Sequence, residues 1–390
     1  MSRRRLENGI RNKINLTGNT QGFSEVKILH NIPYSTEIGA TYSLQFSFDG
    51  KVLAAGFEYG GIQLYSTETG RLLNQLRNSR LSSDAVMCLR FNPENDTSIL
   101  ATTADGQVIT AETEEGILVE SIEEKNNQIN AVDFCLDGQV FATGGADFAV
   151  RLYDSRTMQI LQTYGGENSP DREEYCTNRI YSLKFSPEYN DIFITGGWDK
   201  SIKIFDKRTK LGVRRYMAGP HICGEGLDFR PGKILSASWV SQNGLQIWDY
   251  CDGMIDKTVP FENANGEYLY CAQFCDHDVV LAGGSGTRNV QAIHYPTGKL
   301  SLSLSPVPTG ILGDRRVASS ACDLQSFLHQ FRSIAAPVIP RGKYCASFGA
   351  VFLSLACSQL VSMSMQSNNL EDECPPENYH GFQPTFSESS

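Results

Sequence analysis

Apolar positions recur along this chain with a long period. Six short segments alternate apolar and polar residues and end on Phe46, Phe91, Phe134, Phe185, Phe229 and Phe274, at spacings of 45, 43, 51, 44 and 45. Alternation with a period of two predicts half-buried strands. Each segment is followed by a turn, a second apolar strand, a Gly/Ala/Ser/Thr cluster and a third strand that ends on an aromatic or apolar residue and then a polar one. The third unit shows the order well. Ile129 to Phe134 alternates, Leu136-Asp137-Gly138 turns, and Val140 to Gly145 is a small-residue strand. Asp147 marks another turn, Ala149 to Asp154 is a third strand, and Thr157 to Thr163 supplies a fourth.

Four short strands per roughly 40–45 residues is the unit of a propeller blade. A lone four-stranded sheet cannot bury both faces, so such units stack around an axis. The motifs agree. Trp248-Asp249 stands where each third strand ends, with degenerate counterparts at Tyr65-Ser66, Ala111-Glu112, Tyr153-Asp154, Phe205-Asp206 and Ile293-His294. Turns of the form Ser47-Phe48-Asp49-Gly50 and Cys135-Leu136-Asp137-Gly138 follow the first strands, and Asn92-Pro93 and Ser186-Pro187 are shorter versions. Thr103 to Gly106, Gly145 to Asp147 and Gly197 to Ile202 follow the second strands. In phase over residues 42–299, these motifs resemble the WD-repeat β-propeller family.

The resemblance implies an all-β fold: a propeller of four-stranded antiparallel blades, seven-bladed, with an atypical or incomplete last blade. It also exposes a departure. In the family a Gly-His pair opens each repeat, and its histidine bonds the turn aspartate and the strand tryptophan in a buried tetrad. Here the aspartate survives in three blades, but the only likeness to the pair is Gly219-Pro220-His221. The tetrad is therefore expected in at most one blade.

The periodicity stops after Lys299. A seventh phenylalanine is due near residue 319 and is absent, and residues 344–370 carry no charge. Three readings stay open for 300–366. They form a degenerate seventh blade, closed by Val26 to Leu29 from the N-terminus. Or 344–366 spans a membrane, although Ser347, Ser354, Ser358 and Gln359 dilute the apolar run that a span needs. Or the tail is not propeller sequence at all. The domain reading is a disordered basic arm at 1–22, the propeller at 23–299, the atypical segment at 300–366, and a disordered acidic tail at 367–390.

Composition narrows the function. Glycine at 35 of 390 residues exceeds the usual share of about 7% and fits many turns between short strands. The net charge of −10 opposes a broad phosphate-binding surface, and the basic stretch Arg3-Arg4-Arg5 reads as a solvated tail or a localisation signal. No apolar signal segment opens the chain, and its 11 cysteines include no CxxC pair. They are expected as reduced thiols in a cytoplasmic or nuclear protein.

No nucleophile motif, phosphate loop or HxxxH pair is present, so neither catalysis, cofactor nor metal is expected. Cys271 and Cys275 read as core thiols, and Gly283-Gly284-Ser285-Gly286 as a strand end and turn. A convergent polar cluster at the central channel would be the sign of an enzyme. What remains is protein recognition. Trp198 stands at the turn position aligned with Glu58, Ala104, Ala146 and Val240, where it either anchors a partner or packs on a neighbouring blade. Asp154-Ser155-Arg156 and Asp206-Lys207-Arg208 resemble the tandem Asp-x-Arg boxes of WD-repeat substrate receptors, which bind the adaptor of cullin-RING ubiquitin ligases. The plainer alternative is an arginine that pairs with a nearby turn aspartate. His221 completes the set of candidates. The expected protein is a non-catalytic intracellular scaffold that presents its top face and rim loops to protein partners, without nucleic acid or membrane.

Overall fold

A computed structural model describes residues 25–304 apart from 33–37, 78–83, 167–174, 211, 262–267, 276–277 and 285–289, together with Ala336–Val338 and Gln359–Ser364. The predicted arm at 1–22, the tail at 367–390 and most of 300–366 lie outside these residues.

Six antiparallel four-stranded sheets follow one another, each with its strands in sequence order. Blade 1 holds Thr41–Phe46, Val52–Phe57, Ile62–Ser66 and Leu72–Arg77. Blade 2 holds Val86–Asn92, Asn95–Thr103, Gln107–Glu112 and Ile117–Glu123. Blade 3 holds Ile129–Phe134, Val140–Gly145, Ala149–Asp154 and Ile160–Gly165, and blade 4 holds Ile180–Phe185, Ile192–Gly197, Ser201–Asp206 and Val213–Ala218. Blade 5 holds Leu227–Arg230, Lys233–Ala237, Leu245–Asp249 and Ile255–Thr258, and blade 6 holds Leu269–Phe274, Val279–Gly284, Val290–His294 and Lys299–Leu304. The described residues contain no α-helix. The first strands pack on one another in chain order, so they line the axis of a propeller.

The repeating phenylalanine is the hinge of the pattern. It faces the second strand in every blade, as in Phe134↔Phe141 and Phe185↔Phe193. The partner pairs in turn with the residue of the degenerate dipeptide: Phe141 stacks on Tyr153 at 4.9 Å and Phe193 on Phe205 at 4.8 Å. These pairs sit in apolar layers between consecutive blades. Between blades 3 and 4 the layer runs from Val150 and Tyr164 to Ile180, Leu183 and Phe193. The expected fourth strand of blade 3 is displaced from Thr157–Thr163 to Ile160–Gly165. Asp154 accepts hydrogen bonds from the Thr157 amide and hydroxyl, and Met158 takes φ 54°, so residues 155–159 are turn.

The turn chemistry is transferable between blades. In blade 1, Asp49 accepts from the Ser47 hydroxyl at 2.7 Å and the Lys51 amide at 3.0 Å. In blade 3 Cys135 replaces the serine, and its thiol donates to Asp137 at 2.9 Å. Gly138, at φ 67°, lies against Asn92 of the preceding blade, where a side chain would meet both backbone strain and a clash.

A seventh, smaller sheet joins the ends of the chain. Glu25–Asn31 pairs antiparallel with Gln359–Ser364, which pairs parallel with Ala336–Val338. The N-terminal strand thus meets C-terminal sequence, the pairing that the closing-blade reading expects. No helix among the described residues is long and apolar enough to cross a membrane.

Candidate functional site

The inner strands carry an unforeseen polar ring. The residue before each repeating phenylalanine is Gln45, Arg90, Asp133, Lys184, Asp228 and Gln273 in turn. Arg90 donates to Gln45 at 3.3 Å, lies 3.4 Å from Asp133, and reaches across the axis to Glu225 at 3.1 Å. Asp133 accepts from the Phe185 amide and Asp228 from the Phe274 amide, both at 2.8 Å. These bonds stitch blades 1 to 4 in series and blade 5 to blade 6. Burial alone would raise the Glu225 pKa, but Arg90 and then Lys184 outweigh it and hold the carboxyl below its ordinary value. Cys88 is pushed up to about 12, first by burial, so it stays a thiol and donates to Glu225 at 3.1 Å. This is a convergent polar cluster at the channel, the feature named above as the sign of an enzyme. Arg90 is held by both Asp133 and Glu225, however, and Arg90 and Glu225 are buried. Arg90 Nε and Glu225 Oε2 each lack a hydrogen bond, a polar setting that suits ordered water.

A second network occupies the place of the family's tetrad. In blade 3 Glu124 stands where the histidine is expected. It accepts from Thr143 at 2.6 Å, Tyr153 at 2.8 Å, Asn127 at 2.7 Å and Arg151 at 2.8 Å. Arg151 also binds Asp147. A carboxylate at the histidine position would repel the turn aspartate, and Arg151 bridges the two. In blade 4 Lys203, four residues after Asp199 as Arg151 is after Asp147, pairs with Asp199 and Ser201. Blade 5 keeps only the Trp248–Ser236 bond, at 2.8 Å. The His221 ring is not part of it, since His221 meets Ser238 through its backbone, the amide donating to the hydroxyl at 2.8 Å and the carbonyl accepting from it at 3.4 Å. None of these three blades therefore holds the histidine tetrad.

Strands alternate in direction within a blade. First-to-second and third-to-fourth turns therefore lie on one face, and second-to-third turns and blade-to-blade loops on the other, here called the upper face. The Asp-x-Arg turns fall on the lower face of adjacent blades, as a tandem requires. Their arginines differ. Arg208 binds Asp206 through Nε at 2.9 Å and through a terminal nitrogen at 2.8 Å. The Arg208 contact, against the opposing effect of burial, holds Asp206 at a pKa of about 2. Arg156 is exposed, and Asp154 bonds its amide rather than its side chain.

The upper face of blades 4 and 5 brings Trp198 and His221 together. Trp198 is 41% exposed. Its ring stacks on Tyr181 at 5.4 Å and meets His221 edge-on at 6.2 Å, and the Arg179 guanidinium lies 5.7 Å above it. So the tryptophan packs on Tyr181 of its own blade and on His221 of the connection to blade 5, rather than on a neighbouring blade, and still leaves much of its ring in solvent. Burial, then Lys200, lowers the His221 pKa. The sister residue in blade 5 is Trp239, not Val240. The amides of Glu58, Ala104, Ala146 and Trp198 bond the carbonyls at the start of their blades, and the Trp239 amide bonds the His221 carbonyl at 2.8 Å. Counting from the Phe229↔Ile234 pair gives the same register. Trp239 packs on Tyr270 at 4.5 Å and Tyr268 at 5.1 Å. Its signal was in the sequence, hidden by the irregular start of blade 5.

Comparison with known proteins agrees with this architecture. Residues 24–127 match the Vps8 β-propeller family, and residues 116–154 and 172–206 match the WD domain, G-beta repeat. The chain is a WD-repeat propeller. It is 25% identical to cell division cycle 20.1, cofactor of APC complex, of Arabidopsis thaliana, over 64% of this chain and 54% of that one. Nuclear distribution protein nudF of Aspergillus niger is 25% identical over 49% of this propeller and 44% of its own length. The U3 small nucleolar RNA-associated protein 15 homolog of Gallus gallus is 27% identical over 55% and 43%. The propeller spans about half the length of the curated relatives it matches.

Proposed function

We propose that this propeller is a non-catalytic scaffold that works inside the cell, in the cytoplasm or nucleus, and binds proteins through the upper face of blades 4 and 5. The observation that supports this is the tryptophan at one register position in two adjacent blades, with Trp198 left open to solvent beside Arg179 and His221. Tryptophan and arginine are the residues most enriched at binding hot spots. Catalysis is disfavoured because Arg90 is held between Glu225 and Asp133 within the fold. The seven described cysteines are free, which suits a reducing compartment. In this reading 1–22 and 367–390 flank the ring as solvated arms, and 300–366 completes it as a degenerate blade. Quantitative affinity purification with wild type and Trp198→Ala tests the face. Loss of a defined partner set is expected, and identical partner sets would refute the assignment.

A second reading has its own observation. Asp154-x-Arg156 and Asp206-x-Arg208 share one face on neighbouring blades, and the Arabidopsis relative is by its name a cofactor of the APC complex. A receptor for the cullin-RING adaptor would need both arginines, yet Arg208 is held by its own aspartate. Adaptor capture lost in Arg156→Ala plus Arg208→Ala would support this reading, and no capture by the intact protein would end it.

A further inference from the structure

Among its described residues, the exposed charges of the aromatic sector are cations. Arg179, Lys200 and His221 stand around Trp198, and Arg179 and Lys200 are exposed. Among the described residues of the loops that meet here, Asp199 is paired with Lys203 and Glu225 with Arg90. The upper turns of blades 1 and 2 differ, carrying Glu58 and Asp105. Among the described residues, a protein of net charge −10 thus keeps exposed cations beside aromatic rings in one sector of one face.

That combination selects a ligand class. An aromatic or proline side chain can lie against the exposed Trp198 ring, and flanking carboxylates can meet Arg179 and Lys200. The rings are pre-stacked on Tyr181 and on Tyr270, so little ordering entropy is lost on binding. We propose that the Trp198–Trp239 sector holds an extended acidic segment of a partner protein, one that carries an aromatic or proline residue between its acids. The proposal rests on the upper-face reading given above and adds the chemistry of the partner. Single-stranded RNA, which also stacks on aromatic rings beside cations, is the competing occupant.

The test uses the full chain and three fluorescein-labelled probes read by anisotropy. One is a 12-residue peptide with a Pro-Tyr pair between Asp-Glu runs. The second has lysine in place of every acid, and the third is a 12-nucleotide uridylate. The acidic peptide is expected to saturate, and to lose at least about tenfold in affinity in Arg179→Glu and, separately, in Trp198→Ala. Lys51→Glu on the lower face should leave the affinity unchanged. Melting curves of each variant exclude unfolding, and exposed Arg179 serves if Trp198→Ala fails to fold. Binding of the lysine peptide or the uridylate in preference, or no saturation by the acidic peptide, overturns the partner chemistry. If Trp198→Ala alters neither probe binding nor the protein partners retained from cells, the upper-face reading falls with it.

Discussion

One turn is used in two ways around this ring. In blade 3 the turn after the second strand is Ala146-Asp147, and in blade 4 it is Trp198-Asp199. The aspartate does the same work in both. It faces inward and pairs with a cation four residues on, Arg151 or Lys203. The residue before it does not. Ala146 is a turn and little else, whereas Trp198 spreads over Tyr181 and His221 and stays 41% exposed. The inner half of the turn therefore serves stability, and its outer half is free to vary toward recognition. Blade 5 sharpens the point, because it has lost the aspartate pairing and kept a tryptophan, Trp239, at the outer position.

The largest effect should come from the inner half. Glu124→Ala removes a buried carboxylate with four hydrogen-bonding partners and strands Arg151 beside Asp147. Breaking a buried charge network of this kind costs about 3–5 kcal/mol. Urea unfolding should show that loss, and a change under about 1 kcal/mol would mean the network is solvated in solution. The outer half should behave in the opposite way. Trp198→Ala should cost about 1 kcal/mol, the size of a surface aromatic contact, while reducing partner binding at least tenfold.

The lower face offers smaller tests. Asp206 has a folded pKa of about 2 against 3.8 for the free group. The stability it adds is therefore present above about pH 4 and lost as the pH falls toward 2. Asp206→Asn should flatten that part of the acid-unfolding curve, and an unchanged curve would show that Arg208 does not hold it in solution. Arg156→Ala should be smallest, within about 0.5 kcal/mol of wild type, because its exposed side chain forms no ion pair among the described residues. A larger loss would show that the two Asp-x-Arg turns are more alike than their geometry.

The blades were legible because their signal is local. The alternation before each phenylalanine, the Asp-Gly turns and the small-residue second strands all act within a few residues of one another. The polar networks were not legible, for the opposite reason. Glu124 meets Tyr153 from 29 positions away, and Arg90 meets Glu225 from 135. Nothing near Glu124 in the sequence marks it as a replacement for a histidine. Trp239 lies between these cases. It lies one residue before Val240, the position that the repeat spacing points to, because the first strand of blade 5 is short and its entry, His221 to Gly224, is irregular.

The claim that carries most weight is that Trp198 serves recognition more than folding. It is tested by measuring, on the same preparations of wild type and Trp198→Ala, the melting temperature and the affinity for the acidic Pro-Tyr peptide. A shift of only a few degrees with an affinity loss of tenfold or more is the result predicted here. A large fall in melting temperature with unchanged peptide affinity would contradict it.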